Sequence, residues 1–489
     1  MSSSIIDRNV DRKEQKTARG AFATLVTIFF FWGFVAASND ILIPVFKKAL
    51  DLSQLQSQLI SFAFYVAYTV GSLIYFGLSA VLKRDILNSL GYRNGLALGL
   101  LISALGTLLF IPASNTGSFT LLISGLFIVG LGFSLQQTAA NPLAIRMGDP
   151  STGNQRLSLA GGINNVGTTI GPIIVAFAIF GGVGAENTTL NLEAVQIPYL
   201  VLGATFVLAA IFFKFSSVPD QIEEPVANAN DVADKKSVWS YPQVIFGMLA
   251  IFLYVGVEVS TASNLPEFMK QKLGTAEHEI APYVSLFWAS LMIGRWASAA
   301  GSFGLKGGAL KALNVMLPFV AFGIFLLVNV IAGHPIAQFY PYLGLVVLLI
   351  LADMYTEGKP TKQLFTYSLL GILSLLVGIF ASGMISVFAF IAVGLFCSTL
   401  WPCVFTLGIT GLGKHTNTGS SLLIMMIMGG GVVSIIQGAL SADDVLGIQL
   451  SYFVGVACFA YLAFYALKVR SILNSQGIDV DAQEMSGGH

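Results

Sequence analysis

Apolar runs and short polar interruptions alternate along this chain with a long period. Stretches of 18 or more predominantly apolar residues recur along nearly the whole length. Such a run matches one α-helical crossing of a bilayer core, and continuous rather than alternating apolarity argues against a β-barrel. The pattern predicts spans at roughly 21–47, 56–82, 94–113, 117–145, 156–182, 197–216, 241–265, 282–303, 312–333, 337–354, 365–382, 384–411, 419–440 and 447–469. That is an all-α polytopic membrane protein of about 14 helices. The sixth and seventh spans are separated by "SSVPDQIEEPVANANDVADKKSV", which has little that packs and reads as a flexible linker. The predicted parts are an N-terminal tail over 1–20, a first bundle over 21–216, a linker over 217–240, a second bundle over 241–469 and a C-terminal tail over 470–489.

Charge placement tests this topology. With both termini in the cytoplasm, all but four of the 25 Lys and Arg fall on the inner side, the exceptions being Lys47, Lys48, Lys270 and Lys272. That is the positive-inside asymmetry, and dropping one helix would invert everything downstream. Composition agrees: 55% of residues are hydrophobic and 10% charged, where a soluble domain carries about 25% charged. The 51 glycines suit closely packed membrane helices. The N-terminus shows no signal-peptide order of charged, apolar and small residues. Cys397, Cys403 and Cys458 lie in apolar segments and read as buried structural thiols with no disulfide framework. The net charge is zero and points to no partner; nucleic acid is not expected.

The two halves also echo each other. Residues 125–172 and 394–438 each begin Gly-Leu-Phe, run through a long helix with a proline, cross a short polar loop and enter a Gly-rich helix. Internal repetition is common in secondary transporters, with the substrate between the repeats near the midplane.

Polar residues inside spans carry the chemistry. Each charge there costs several kcal/mol unless paired or hydrated. Asp40 and Glu258 are the two acids well inside predicted spans, with Arg156, Arg295 and Asp353 placed at span ends. No Lys or Arg is expected to neutralise either acid. A carboxyl alternating between dry and wet surroundings is a proton carrier, and for Asp40 that reading stands against helix-to-helix bonding. Glu258 has three readings: coupling, sugar binding and interhelical bonding. Gln136, Gln137 and Asn141 lie on the fourth span, Asn164, Asn165 and Thr168 on the fifth, Tyr254 and Glu258 on the seventh. Trp288 and Trp296 lie on the eighth and Gln437 near the end of the chain's Gly-rich second repeat. Pairs four apart, such as Gln137 with Asn141 and Tyr254 with Glu258, share a helix face. Amides, hydroxyls and aromatic faces are what a carbohydrate needs, and interhelical hydrogen bonding is the competing use. There is no P-loop, and His278, His334, His415 and His489 lack ligand spacing, so neither a nucleotide motor, an enzyme nor a metal site is expected. The Asn187 sequon reads as chance.

Several strings together resemble the fucose/galactose/glucose:proton symporter family of the major facilitator superfamily. They are "FFFWGFVAASNDILIPVFKK", "LQQTAANPLA", "RLSLAGGINNVGTTIGP", "FLYVGVEVS", "LFWASLMIGRW" and "WPCVFTLGITGLGKHTNTGSSLLIMMIMGGGVV". The resemblance spans about 21–180, 241–304 and 384–469 and is closer to glucose/galactose-type than to fucose-type members. It implies the major facilitator fold, two six-helix bundles around a cavity, here with a two-helix insertion. It also implies import of a hexose-type sugar with a co-transported cation, by alternating access and without a cofactor. The cation is a proton, or sodium as in some relatives. Asp40 matches the family's proton-carrying Asp, Asn164 its cavity-lining Asn, and Glu258 the seventh-helix acid of glucose/galactose-type members. Three departures from the fucose pattern stand out: Gln137 replaces a Glu, Gly161 replaces a Gln, and about 312–354 has no counterpart in a twelve-helix plan. A peripheral packing hairpin is the default reading of that insert.

The expected activity is therefore import of a hexose-type sugar by cation symport. The expected coupling residues are Asp40 and Glu258; the expected sugar-binding residues are Asn39, Gln137, Asn141, Asn164, Tyr254, Glu258, Trp288 and Gln437. The alternatives are a sugar sensor that binds without transporting, or a transporter of another small polar solute. A multi-pass monomer in a bacterial inner membrane is expected, with the lipid bilayer and a small sugar as partners.

Overall fold

The computed structural model describes residues 20–35, 50, 54–148, 152–180, 193–221, 237–305 and 307–481. Among these there is no strand. The long helices in chain order are α1 (Gly20–Val35), α2 (Gln54–Leu82), α3 (Tyr92–Thr116), α4 (Phe119–Arg146), α5 (Gly153–Phe180) and α6 (Glu193–Lys214). They continue as α7 (Pro242–Leu273), α8 (Glu277–Ala299), α9 (Gly307–Ile331), α10 (Ala337–Thr356), α11 (Pro360–Phe380), α12 (Gly383–Ile409), α13 (Gly413–Leu440) and α14 (Gly447–Ser475). Each predicted span overlaps one of them. Eleven are long and apolar enough to cross a membrane: α2 to α4, α6, α7 and α9 to α14. Asn39, Asp40, Asn187 and linker residues 222–236 lie outside the described residues.

Helices this apolar close their own backbone hydrogen bonds, which is what a lipid-facing chain requires. Their outer faces show it. Leu73, Ile74, Leu78 and Val81 on α2, and Leu98, Leu101 and Leu105 on α3, are exposed at helical spacing. Such stripes would aggregate in water and are at home against acyl chains.

Small residues set how closely helices approach. A Cβ added at Gly132 of α4 would come within 2.2 Å of Ser103 Oγ and 2.4 Å of the Gly99 carbonyl oxygen on α3. One added at Gly33 of α1 would fall 1.9 Å from the Asn164 carbonyl oxygen on α5. These helices approach so closely because the glycine has no side chain to hold its neighbour off.

Helices of the first and second halves of the sequence are tied at the end that carries Lys83, Arg84, Arg146 and Lys414, called the basic end from here. Asn417 of α13 donates to Asp85 Oδ1 at 2.9 Å and Asn88 Oδ1 at 3.0 Å, and accepts from Tyr92 OH. Arg146 donates to Thr416 Oγ1 at 2.7 Å. Asp85 is itself fixed, accepting from Tyr75 OH at 2.9 Å while its Oδ1 caps the short helix that follows.

The pair α9–α10, which the sequence reading takes as an insertion, packs along α8. Phe339 meets Tyr283 and Phe325 edge-on at 5.2 Å each, and Tyr342 OH shares a 2.6 Å hydrogen bond with Ser290 Oγ. Asp353, expected at an interface, is buried with 6% of its surface exposed. It lies one turn before the end of α10 and is buried because the ends of α8 and α11 close over it.

Candidate functional site

The seventh-span pair forms as its spacing predicts. Tyr254 OH on α7 donates to Glu258 Oε2 one turn on. The cation next to it was not expected there. Arg295 lies about one turn before the C-terminal end of α8 and interacts electrostatically with Glu258. Its guanidinium donates from Nη2 to Tyr254 OH at 3.5 Å and from Nη1 to Asn165 Oδ1 at 2.8 Å and the Gly161 carbonyl at 3.2 Å. Nε donates to the Ser398 carbonyl at 3.0 Å. One side chain thus joins α5, α7, α8 and α12. The reading that no cation reaches Glu258 is corrected by this geometry: the long Arg stem carries its charge inward from a point near a helix end.

The Ser398 carbonyl is available for a reason written in the sequence. Pro402 has no N–H to return to residue 398 and breaks α12 there, between Cys397 and Leu400. The matching proline of the first repeat, Pro142, leaves the Thr138 carbonyl short of its helical donor. That oxygen accepts from Ser420 Oγ on α13 at 3.2 Å. Each repeat spends its proline on an acceptor for another helix.

Gly161 also gains a meaning. A Cβ there would sit 3.0 Å from Arg295 Nη1. The absent side chain leaves the room the guanidinium occupies. Beside it, a Cβ at Gly162 would meet Trp296 Cδ1 at 2.4 Å, so the indole packs close against the α5 backbone. The Trp296 Nε1 is buried without a hydrogen-bond partner.

The other predicted residues go elsewhere. Gln137 donates to Tyr68 OH at 2.9 Å, joining α4 to α2. Gln136 is structural: it accepts from Trp32 Nε1 at 2.7 Å and donates to Ser103 Oγ at 3.1 Å. Asn164 donates to the Phe29 carbonyl at 2.9 Å and secures the α1–α5 crossing, while its neighbour Asn165 faces Arg295. Asn141 is buried with its amide nitrogen unpartnered, a donor still to be satisfied. Trp288 is half-buried against Phe287. Gln437 is buried toward α14, where its amide nitrogen donates to Ser451 Oγ at 3.4 Å; it is not brought to the Glu258 cluster. Asn39 and Asp40 are outside the described residues. Arg295 and Asn165 were the signals sequence reasoning passed over: an Arg flanked by Ile-Gly and Trp-Ala inside an apolar run, and the second Asn of Asn-Asn.

All three cysteines are buried, and none forms a disulfide among the described residues. Among the described residues no group of three His, Cys, Asp or Glu is placed to hold a metal.

The Major Facilitator Superfamily model matches residues 20–358, more than half of the chain. The chain belongs to the major facilitator superfamily. It is 33% identical over 476 residues to a protein of Brucella abortus named "Glucose/galactose transporter", covering 96% of this chain and 99% of that one. It is 27% identical over 464 residues to the "L-fucose-proton symporter" of Escherichia coli K12, covering 91% and 92%. The crystal structure of FucP, a major facilitator transporter in the outward conformation, superposes with a TM-score of 0.70 at 26% identity. It covers 93% of this chain and 99% of that one. The resemblance to the sugar:proton symporter family, nearer its glucose/galactose type, therefore holds, and its named members are transporters rather than enzymes.

Proposed function

We propose that this chain is a secondary active transporter that imports a hexose-type sugar together with a cation, a proton in the first instance, by alternating access. The observation that carries the reading is the Tyr254–Glu258–Arg295–Asn165 cluster. It places an acid, a cation, a phenol and an amide on membrane helices from both halves of the sequence. Charged groups are retained in membrane helices for a use, since they cost several kcal/mol to place there. Sugar hydroxyls both donate and accept, so they can take over contacts that Glu258 and Arg295 make with each other's neighbours. The names of the Brucella and Escherichia relatives support the solute class, and Gln137 in place of an acid favours glucose or galactose over fucose.

In this reading α1, α5 and α8 also cross, completing fourteen spans: a six-helix bundle, a linker, and a second bundle of six with α9–α10 inserted. The basic end faces the cytoplasm with both termini, in a bacterial inner membrane, and the protein works as a monomer. Asp40 carries the proton, a role resting on the sequence and the resemblance. Sugar binds against Glu258, Tyr254 and Arg295, with Asn39, Gln137, Asn141, Asn164, Trp288 and Gln437 as further sugar-binding proposals. Closure follows only when both are bound, which makes the two affinities reciprocal.

The test is uptake of a labelled hexose panel into proteoliposomes under an imposed proton or sodium gradient. Wild type should accumulate glucose or galactose with the proton gradient. Asp40→Asn and Glu258→Gln should lose accumulation by at least about tenfold, about 1.4 kcal/mol of coupling. Sodium-driven uptake would change the ion. Binding without uptake would move the assignment to a sensor. Accumulation by Asp40→Asn at the wild-type level would remove Asp40 from coupling.

A further inference from the structure

The buried Asp353 has no part in the cycle just described, yet its surroundings are built with care. Its Oδ1 accepts from Ser298 Oγ at 2.5 Å, at the end of α8, and from Gln363 Nε2 at 3.1 Å, in the first turn of α11. Gln363 Nε2 also donates to Ser298 Oγ at 2.6 Å. The other end of the same amide turns away. Gln363 Oε1 accepts from Asn154 Nδ2 at 3.4 Å, in the first turn of α5, and from Cys403 Sγ at 3.4 Å on α12. Ser298, Asp353, Gln363, Asn154 and Cys403 are all buried.

A helix pair that only packs would carry an apolar residue at position 353, because an acid buried among neutral donors costs several kcal/mol. What the acid supplies is direction. A carboxylate accepts and never donates, whereas an amide does both. Facing Asp353, the Gln363 amide must turn its nitrogen toward α10, and its oxygen is then the atom left for Asn154. We propose that Asp353 is a positioning residue for alternating access. Through Gln363 it lets the inserted helix pair latch α5 of the first half to α11 of the second at the basic end. The latch must break each time that end opens, so α9–α10 sets how readily it does so. This rests on the alternating-access reading above, and its test uses neither sugar nor gradient, so an error in the solute would leave it untouched.

Cys403 is a native probe, since its thiol sits at the junction. With Cys397 and Cys458 replaced by Ser, the rate of Cys403 alkylation by N-ethylmaleimide reports opening there. Asp353→Asn frees Gln363 to flip and set nitrogen against nitrogen at Asn154; alkylation should rise about tenfold. Asn154→Asp, which sets a carboxylate against the Gln363 oxygen, should raise it similarly. The double variant reverses the polarity of the whole chain of contacts and should return the rate to within about twofold of wild type, which a merely structural role would not do. An unchanged rate in Asp353→Asn overturns the proposal, as does a double variant alkylated as fast as either single one. If Asp353→Asn alone does not fold, the double variant decides: a folded, slowly alkylated protein supports the latch, and failure of that protein to fold overturns it.

Discussion

Arg295→Lys separates charge from geometry. Lysine keeps a cation near Glu258 but concentrates its donors on one atom, where the guanidinium reaches four acceptors on three helices. Two of those acceptors, Ser398 and Tyr254, belong to the second half of the sequence and can travel with Arg295. The other two, the Gly161 carbonyl and Asn165 Oδ1, are on α5 and must be given up if the halves move apart there. With water or the ammonium taking over in part, each contact is worth about 1 kcal/mol net. Losing both shifts the equilibrium away from the tied state by about 2 kcal/mol, or about 30-fold. Single-molecule FRET reads this directly, with dyes on Ser89→Cys and Asn474→Cys in a background free of native cysteines. Both positions are exposed, on opposite halves of the sequence. Asn165→Ala removes one acceptor and should give about half the shift. Added to Arg295→Lys it should do little more, because the contact is already gone. An unchanged FRET distribution in Arg295→Lys, or effects of the two substitutions that simply add, would refute the assignment of these ties to the closed state.

Two further outcomes concern stability and are read by thermal melting in detergent. Gly132→Leu forces a side chain into the 2.2 Å approach to Ser103 and should cost about 1–3 kcal/mol, while Gly438→Ala, with open space around it, should be neutral or slightly stabilising. The Arg93 guanidinium holds the Asp220 carboxyl below the usual carboxylate range. The pair's contribution is therefore complete above about pH 4 and fades as the pH falls below it. Both side chains are about a third exposed, so Asp220→Asn should cost at most about 1 kcal/mol, and less at high salt.

The helices were legible because membrane crossing is a one-dimensional demand: enough consecutive apolar residues, with backbone bonds closed inside each run. The Tyr254–Glu258 pair was legible for the same local reason, since four residues make about one turn. The prolines of both repeats announced that α4 and α12 would each lose a backbone bond.

What the sequence could not decide was who arrives from elsewhere. That Ser420 meets the oxygen freed by Pro142, and Arg295 the one freed by Pro402, depends on which helices lie side by side. Arg295 and Asp353 each lie about one turn from a helix end, and the sequence hid what they meet because position along one helix says nothing about the neighbours closing over it. The stretch over 312–354 showed only apolar length; what surrounds its buried Asp353 came from α8 and α11, and through Gln363 from α5. The sequence by itself determined that the chain is built of many apolar helices of membrane length and which residues are too polar to be there idly. The tertiary structure decided which of them meet, because the energy of a buried charge is set by the donors and acceptors around it and not by its own position in the chain.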